Sequence, residues 1–162
     1  MERLTDEQFR SLFLYRYALR RFLLRGAQSA ARVGLTSQQH QLLLILRACP
    51  ETTPPSIREI ADYLLVRHHS AVELVARVEA MGLVRRAPDP QDQRIVRLHL
   101  TSRGRQRIEE MAPTHLAELH EVAAALNVSE GLIREIAERY LHGVSRDIAH
   151  TSDGHPPKLK SQ

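Results

Sequence analysis

The chain is poor in the patterns that announce chemistry or a membrane. It carries one cysteine, Cys49, in 162 residues, so no disulfide can close within it and a reducing compartment is expected. As a small apolar residue at a helix end, Cys49 reads first as packing and only second as a redox sensor, because no second cysteine stands beside it. No apolar run approaches the ~20 residues that a membrane-crossing helix needs, and Met1-Glu2-Arg3-Leu4 opens no signal peptide; a cytoplasmic protein without a membrane partner is expected. A P-loop, a G-x-S-x-G elbow, a dinucleotide glycine fingerprint and H-E-x-x-H are all missing, which argues against an enzyme and against a bound cofactor. The histidines lack chelating spacing, and the adjacent His68 and His69 point in different directions from a helix, so no metal site is expected. Internal repeats are also lacking.

What is present is a located charge. Hydrophobic residues make up 43% and charged residues 26%, the composition of an ordinary folded domain. The net charge is only +4, yet between Val84 and Arg105 six arginines face two aspartates, so that window carries the whole excess. A charge run is usually a solvated face. Here it falls on a pattern that suits nucleic acid better.

That pattern occupies Ser56 to Thr101. Ser56-Ile57-Arg58-Glu59 is a capping box that opens a short helix with Ile60, Ala61 and Leu64 on one face. After the corner Leu65-Val66-Arg67-His68, the stretch Ser70 to Met81 turns Ala71, Leu74, Val75 and Val78 inward and leaves His69, Ser70, Glu73 and Arg77 on the other side. Gly82 stops it. Leu83-Val84-Arg85-Arg86 is a strand, Ala87 to Gln93 a polar turn, and Arg94 to Leu100 a return strand in which Val96, Leu98 and Leu100 alternate with Ile95, Arg97 and His99. Two short helices followed by a charged hairpin make a winged helix-turn-helix, and a DNA-binding protein is the functional expectation.

The flanks are helical. Thr5, with Gln8 three residues on, caps a helix whose stripe is Phe9, Leu12, Phe13, Leu19, Phe22 and Leu23, and Gly26 lies near its expected end. Leu35, Thr36 and Gln39 open a second helix with Leu42, Leu43, Ile45 and Leu46, which Pro50 and Pro54-Pro55 terminate. Thr101 caps a long helix with Ile108, Met111, Leu116, Leu119, Val122 and Leu126, in which Pro113 is a candidate kink. After a break at Asn127-Val128-Ser129, a last helix carries Leu132, Ile133, Ile136, Tyr140, Leu141, Val144 and Ile148. These flanking stripes exceed what one winged helix can cover, and a helical dimer interface is the economical solution. The fold class expected is mainly α with a small β-hairpin wing. The expected organisation is 1–34 as an N-terminal dimerisation helix, 35–101 as the winged helix-turn-helix, 102–150 as C-terminal dimerisation helices and 151–162 as a disordered tail.

Over nearly its whole length the sequence resembles the MarR family of bacterial transcription regulators. Asp89-x-x-Asp92-x-Arg94, followed by the strand and Leu100-Thr101-x-x-Gly104-Arg105, matches the family's wing and the start of its next helix; Ala80-Met81-Gly82-Leu83-Val84 agrees. Leu65 departs from the pattern, since many winged helices place Gly at that corner. The resemblance implies a homodimer on palindromic double-stranded DNA, commonly a repressor, released by a small-molecule effector that is phenolic or otherwise lipophilic. It also implies Arg94 as the wing arginine of the minor groove, with Asp92, and Asp89 beside it, holding the wing in shape.

The DNA-binding set is therefore Arg67, His68, His69, Ser70, Glu73, Arg77, Arg94 and Arg97. Arg67 and Arg77 suit phosphates, and Ser70 suits a base edge or a phosphate. Glu73 fits either a cytosine amino group or an ion pair with Arg77 four residues on. His68 and His69, if they titrate near ~6.5, would strengthen DNA binding in acid. Two alternatives remain at this stage: a redox-responsive regulator using Cys49, and a winged helix serving protein contacts.

Overall fold

Three helices begin on the three capping boxes seen in the sequence. The computed structural model describes residues 3–125, 129, 131–132, 134–135 and 138–139. Within it α1 spans Asp6–Arg32, α2 Ser37–Ala48 and α3 Ile57–Tyr63. Thr5, Thr36 and Ser56 each accept the N3 amide, and Gln8, Gln39 and Glu59 reach back to the cap amide. α4 spans His68–Ala80, β1 Val84–Pro88, β2 Val96–Leu100 and α5 Ser102–Ala125. Among the described residues the fold is thus five helices and one hairpin, a winged helix-turn-helix in a mainly α chain.

Boundaries differ from expectation in both strands and in two helices: β1 runs on to Pro88 and β2 begins only at Val96, which leaves Ala87 in the strand and Arg94 in the turn. α1 does not stop near Gly26 but runs on to Arg32, and at 27 residues it is about 40 Å long. Its end is set by Gly34 at φ +73°, where the Leu35 amide bonds the Ala30 carbonyl and the Gly34 amide bonds the Ala31 carbonyl. α4 starts at His68, two residues before the expected Ser70, with Arg67 at the cap position and no side-chain cap hydrogen bond. No Ser, Thr, Asp or Asn marks that start in the sequence.

The chain divides into two compact units, Met1–Leu119 and His120–Gln162. The core of the first unit is apolar: Leu42, Leu43, Ile60, Val75, Val78, Leu83 and Leu98 are fully enclosed. Every residue assigned inward on the recognition helix, Ala71, Leu74, Val75 and Val78, is buried. In the second unit residues 131–132, 134–135 and 138–139 are helical, Ser129 accepts the Leu132 amide at 3.1 Å, and Arg139 pairs with Glu135 at 2.7 Å. Ile133, Ile136, Tyr140, Leu141, Val144 and Ile148 of the expected last helix, Leu126, and the expected tail lie outside the described residues.

α1 is the exception to apolar burial. Phe9, Leu12, Phe13 and Leu23 are each half or more exposed, and Leu14, Tyr15 and Leu24 join them. Within one chain this helix leaves a long apolar surface in water.

Candidate nucleic-acid interface

One side chain ties the turn and the return strand of the hairpin to α3. Val84 faces Leu100 and Pro88 faces Val96 in an antiparallel ladder, and Ser56 bridges to Arg97 at its edge. The Leu98 amide bonds the Pro55 carbonyl at 2.9 Å. Arg97, whose side chain is 24% exposed, points its guanidinium into this corner: Nε donates to Asp89 Oδ2 at 2.6 Å, and Nη1 donates to Glu59 Oε2 at 3.0 Å and to the Pro54 carbonyl at 3.2 Å. Glu59 Oε2 is the same oxygen that closes the capping box of α3 on Ser56, at 2.7 Å. One cation therefore ties the return strand, the turn and the first helix of the helix-turn-helix pair.

Asp89 is the turn's anchor. Its other oxygen accepts the Gln91 amide at 2.7 Å and the Asp92 amide at 3.1 Å. The Arg97 hydrogen bond, followed by those two amides, holds its carboxyl below the usual carboxylate range, and Asp89 in turn raises Arg97 further. At the tip Asp92 Oδ1 accepts both the Arg94 amide at 3.0 Å and Arg94 Nε at 3.2 Å. That pair aims Arg94 while leaving its side chain 92% exposed. Of the two wing arginines placed in the DNA-binding set, Arg94 stands in solvent and Arg97 is committed within the protein.

The recognition helix supplies the second element. His68 and His69 open α4 and are exposed, as are Arg67 before it and Glu73 and Arg77 beyond, while Ser70 is half-buried. Glu73 pairs with Arg77 at 3.8 Å, the second of the two geometries expected for it. The far end of α4 is tied to the hairpin by Glu79, which accepts Arg86 Nε at 3.1 Å and the Arg86 amide at 3.2 Å. The sequence-predicted residues thus fall on two neighbouring elements, with Arg97 turned away from the exposed set. Glu59, Glu79 and Arg86 were missed. The capping box announced Glu59, but nothing in it signals a second use of the same carboxylate.

A cleft of about 680 Å³ lies against the hairpin, lined among others by Arg47, Cys49, Glu51, Arg85, His99 and Arg105. Cys49 is half-buried there, and burial, with the nearby charge of Glu59, pushes its thiol up, the opposite of what a reactive thiolate needs. Among the described residues no three His, Cys, Asp or Glu side chains converge to hold a metal ion, and no helix is long and apolar enough to cross a membrane.

Comparison with known proteins places this geometry. Residues 33–95 match the sequence profile of the MarR family. No curated protein matches the sequence, but solved structures do. AbsC, a MarR family transcriptional regulator from Streptomyces coelicolor, is 19% identical with a TM-score of 0.70, covering 93% of this chain and 100% of its own. Sco3205, a MarR family transcriptional regulator from the same organism solved in complex with DNA, is 22% identical with a TM-score of 0.68, covering 98% and 96%. The MepR–DNA complex of S. aureus is 19% identical with a TM-score of 0.63, covering 89% and 99%. At these identities the likeness is one of fold.

Proposed function

We propose that this chain, whose residues 33–95 match the sequence profile of the MarR family, is a MarR-type transcription regulator: a non-enzymatic, cytoplasmic DNA-binding protein that acts as a homodimer. The observation that carries the function is the contrast at the wing: Arg94 is aimed by Asp92 yet 92% exposed, on a hairpin whose base is fixed by Arg97. An exposed guanidinium on a fixed hairpin meets the negative potential of a narrow minor groove without needing base-specific bonds. α4 lies in the major groove beside it, with Arg67 and Arg77 on phosphates and His68, His69 and Ser70 in the first turn, where helix amides favour anions.

The exposed apolar surface of α1 supports pairing of two copies. In that assembly 1–34 and 102–150 hold the subunits together, and each 35–101 segment addresses one half of a palindromic operator, the half-sites about one DNA turn apart. A repressor released by a small phenolic or lipophilic molecule bound beside the winged segment is the regulatory scheme proposed. A raised thiol gives the redox alternative at Cys49 no support.

The test is binding of wild type and Arg94→Ala to a fluorescent duplex of the gene's own upstream DNA across a salt series. Loss of one charge-assisted contact is expected to weaken binding about tenfold to a hundredfold and to reduce the salt slope by about one. Equal binding by the two proteins would remove Arg94 from the interface. Failure of wild type to bind any duplex at low salt would overturn the function.

A further inference from the structure

α2 is the first helix of the winged unit, and it meets α5 through a buried polar contact that no DNA-reading role explains. The His40 ring on α2 stacks on the His115 ring of α5, with centroids 4.3 Å apart and planes 23° from parallel. His115 Nδ1 lies 3.2 Å from Glu118 Oε2, and the other Glu118 oxygen accepts from Ser29 Oγ of α1 at 3.1 Å. His40 is 7% exposed and Glu118 8%. The Nε2 atoms of both rings are buried and have no hydrogen-bond partner. Burying such groups unsatisfied costs stability, and an apolar pair would pack here without that cost.

We propose that His40, His115 and Glu118 form a proton-binding site that regulates DNA binding: protonating His40 against the His115 ring separates the rings and loosens α2 from α5 and α1. This rests on the DNA-binding function proposed above. A cation on a ring buried face to face with a second histidine, its Nε2 without a hydrogen-bond acceptor, is costly in a site this enclosed. The groups facing the pair can be named element by element. α5 contributes the Glu118 carboxylate. α1 contributes the Ser29 hydroxyl and the backbone at Gly26, whose position is in contact range of the His115 ring, with Arg25 and Arg32 about one turn to either side of Ser29. On α2 the neighbouring Gln39 amide is engaged by the Thr36 amide and Met81 Sδ. A metal ion does not suit the pair, because stacked rings carry their lone pairs side by side and not toward one point.

The direction of the response follows from His40. Burial, then the His115 ring, lower it from 6.5 to about 4, against an opposing pull from Glu118. A histidine depressed in the closed state binds its proton more readily in the open one, so acid favours opening across the interval between those two values. Between pH 7.5 and pH 5 the ratio of open to closed forms rises about thirtyfold.

The experiment compares wild type with His40→Phe, which keeps a stacking ring and removes the proton site, on the same upstream duplex from pH 7.5 to pH 5. Wild-type affinity is expected to fall at least threefold relative to the variant. Superimposable pH profiles overturn the proposal. If His40→Phe is not helical by circular dichroism at pH 7.5, Glu118→Gln takes its place and is expected to alter the wild-type pH profile; an unaltered profile overturns the proposal. A second readout is independent of DNA: the nuclear Overhauser contact between the two rings is expected at pH 7.5 and lost as His40 titrates. A ring contact that survives titration overturns the site. Wild type that binds no duplex at any pH overturns the DNA-binding function instead, and the ring contact alone then decides for or against the proton site.

Discussion

At the base of the wing loop, opposite Ala87 in the ladder, Arg97 gives its guanidinium to Asp89, Glu59 and the Pro54 carbonyl, and the side chain is 24% exposed. At the tip, three residues earlier in the chain, Arg94 pairs with Asp92 and is 92% exposed. The residue type is the same and the hairpin is the same, with Arg97 in β2 and Arg94 in the turn before it. What differs is the number of elements that arrive at each place: the turn at Pro54, the N-terminus of α3 and the strand all meet at the base, while the tip has only its own loop. Charge on a wing is therefore of two kinds, one that builds the hairpin and one that the hairpin presents.

The largest effect is expected where the base continues into α5. Thr101 donates its amide to the Leu83 carbonyl at 3.1 Å and its hydroxyl to the Gly82 carbonyl at 2.7 Å, while its hydroxyl oxygen accepts the Gly104 amide at 3.0 Å. This draws Gly104 onto the Leu83 backbone so closely that a Cβ there would overlap the carbonyl. Gly104→Ala is expected to destabilise by about 3 kcal/mol in urea unfolding, because backbone on one side and a helix on the other leave no side chain to move aside. An unaltered midpoint would show that the junction yields, and with it that the base is not rigid.

The next effect separates base from tip. Arg97→Ala is expected to lower stability by about 1–3 kcal/mol, and Arg97→Lys to recover little, since an ammonium does not offer the planar fork that meets three acceptors. Its acid sensitivity should change as well. Asp89 is held low in the folded protein, so its pairing stabilises the fold above pH ~4 and that contribution is lost as pH falls through the lowered value. Removing Arg97 should move this loss to higher pH. Arg94→Ala is expected to leave the urea midpoint unchanged and to affect only DNA. The comparison breaks if Arg97→Ala keeps full stability and loses DNA, which would make Arg97 a contact like Arg94.

Much of the base is legible in the sequence. The three capping boxes and the Thr101-x-x-Gly104 sequence are local signals, and each specifies its own hydrogen bonds; the alternation of Val96, Leu98 and Leu100 gives the buried Leu98 but not Val96, which is exposed. Arg97 stands with Arg94 in the expected DNA-binding set, and its partners within the protein are not legible in the sequence, because a period of two gives the face of a strand and not what crosses beneath it. Its partners Pro54 and Glu59 are 43 and 38 residues away. The same limit hid His40 and His115, two unremarkable positions until α2 and α5 stack them. Gly26 reads as lying near a helix end because a lone glycine weakens a helix, but α1 passes through it. The start of α4 was missed because its cap is a backbone geometry at Arg67 without a side-chain signal.

The smallest effect concerns the corner between α3 and α4. Three helices end in the same way: the amide two residues past the C-cap bonds the carbonyl five residues back at Leu35, Val66 and Leu83, and the residue before it has positive φ. At two of these corners that residue is Gly34 or Gly82; at the third it is Leu65, with φ +53° and 83% exposure. A leucine in the left-handed region costs about 1–2 kcal/mol, part of which a glycine returns through its greater freedom when unfolded. Leu65→Gly is therefore expected to stabilise the protein by about 0.5–1 kcal/mol, read as a higher urea midpoint. DNA affinity then decides which kind of residue Leu65 is. If affinity is unchanged, the side chain belongs to neither the base nor the presented surface, and the strain has no function. If stability rises while affinity falls, Leu65 is held out at the corner for contact, as Arg94 is held out at the tip, and the surface that meets DNA extends beyond α4 and the wing.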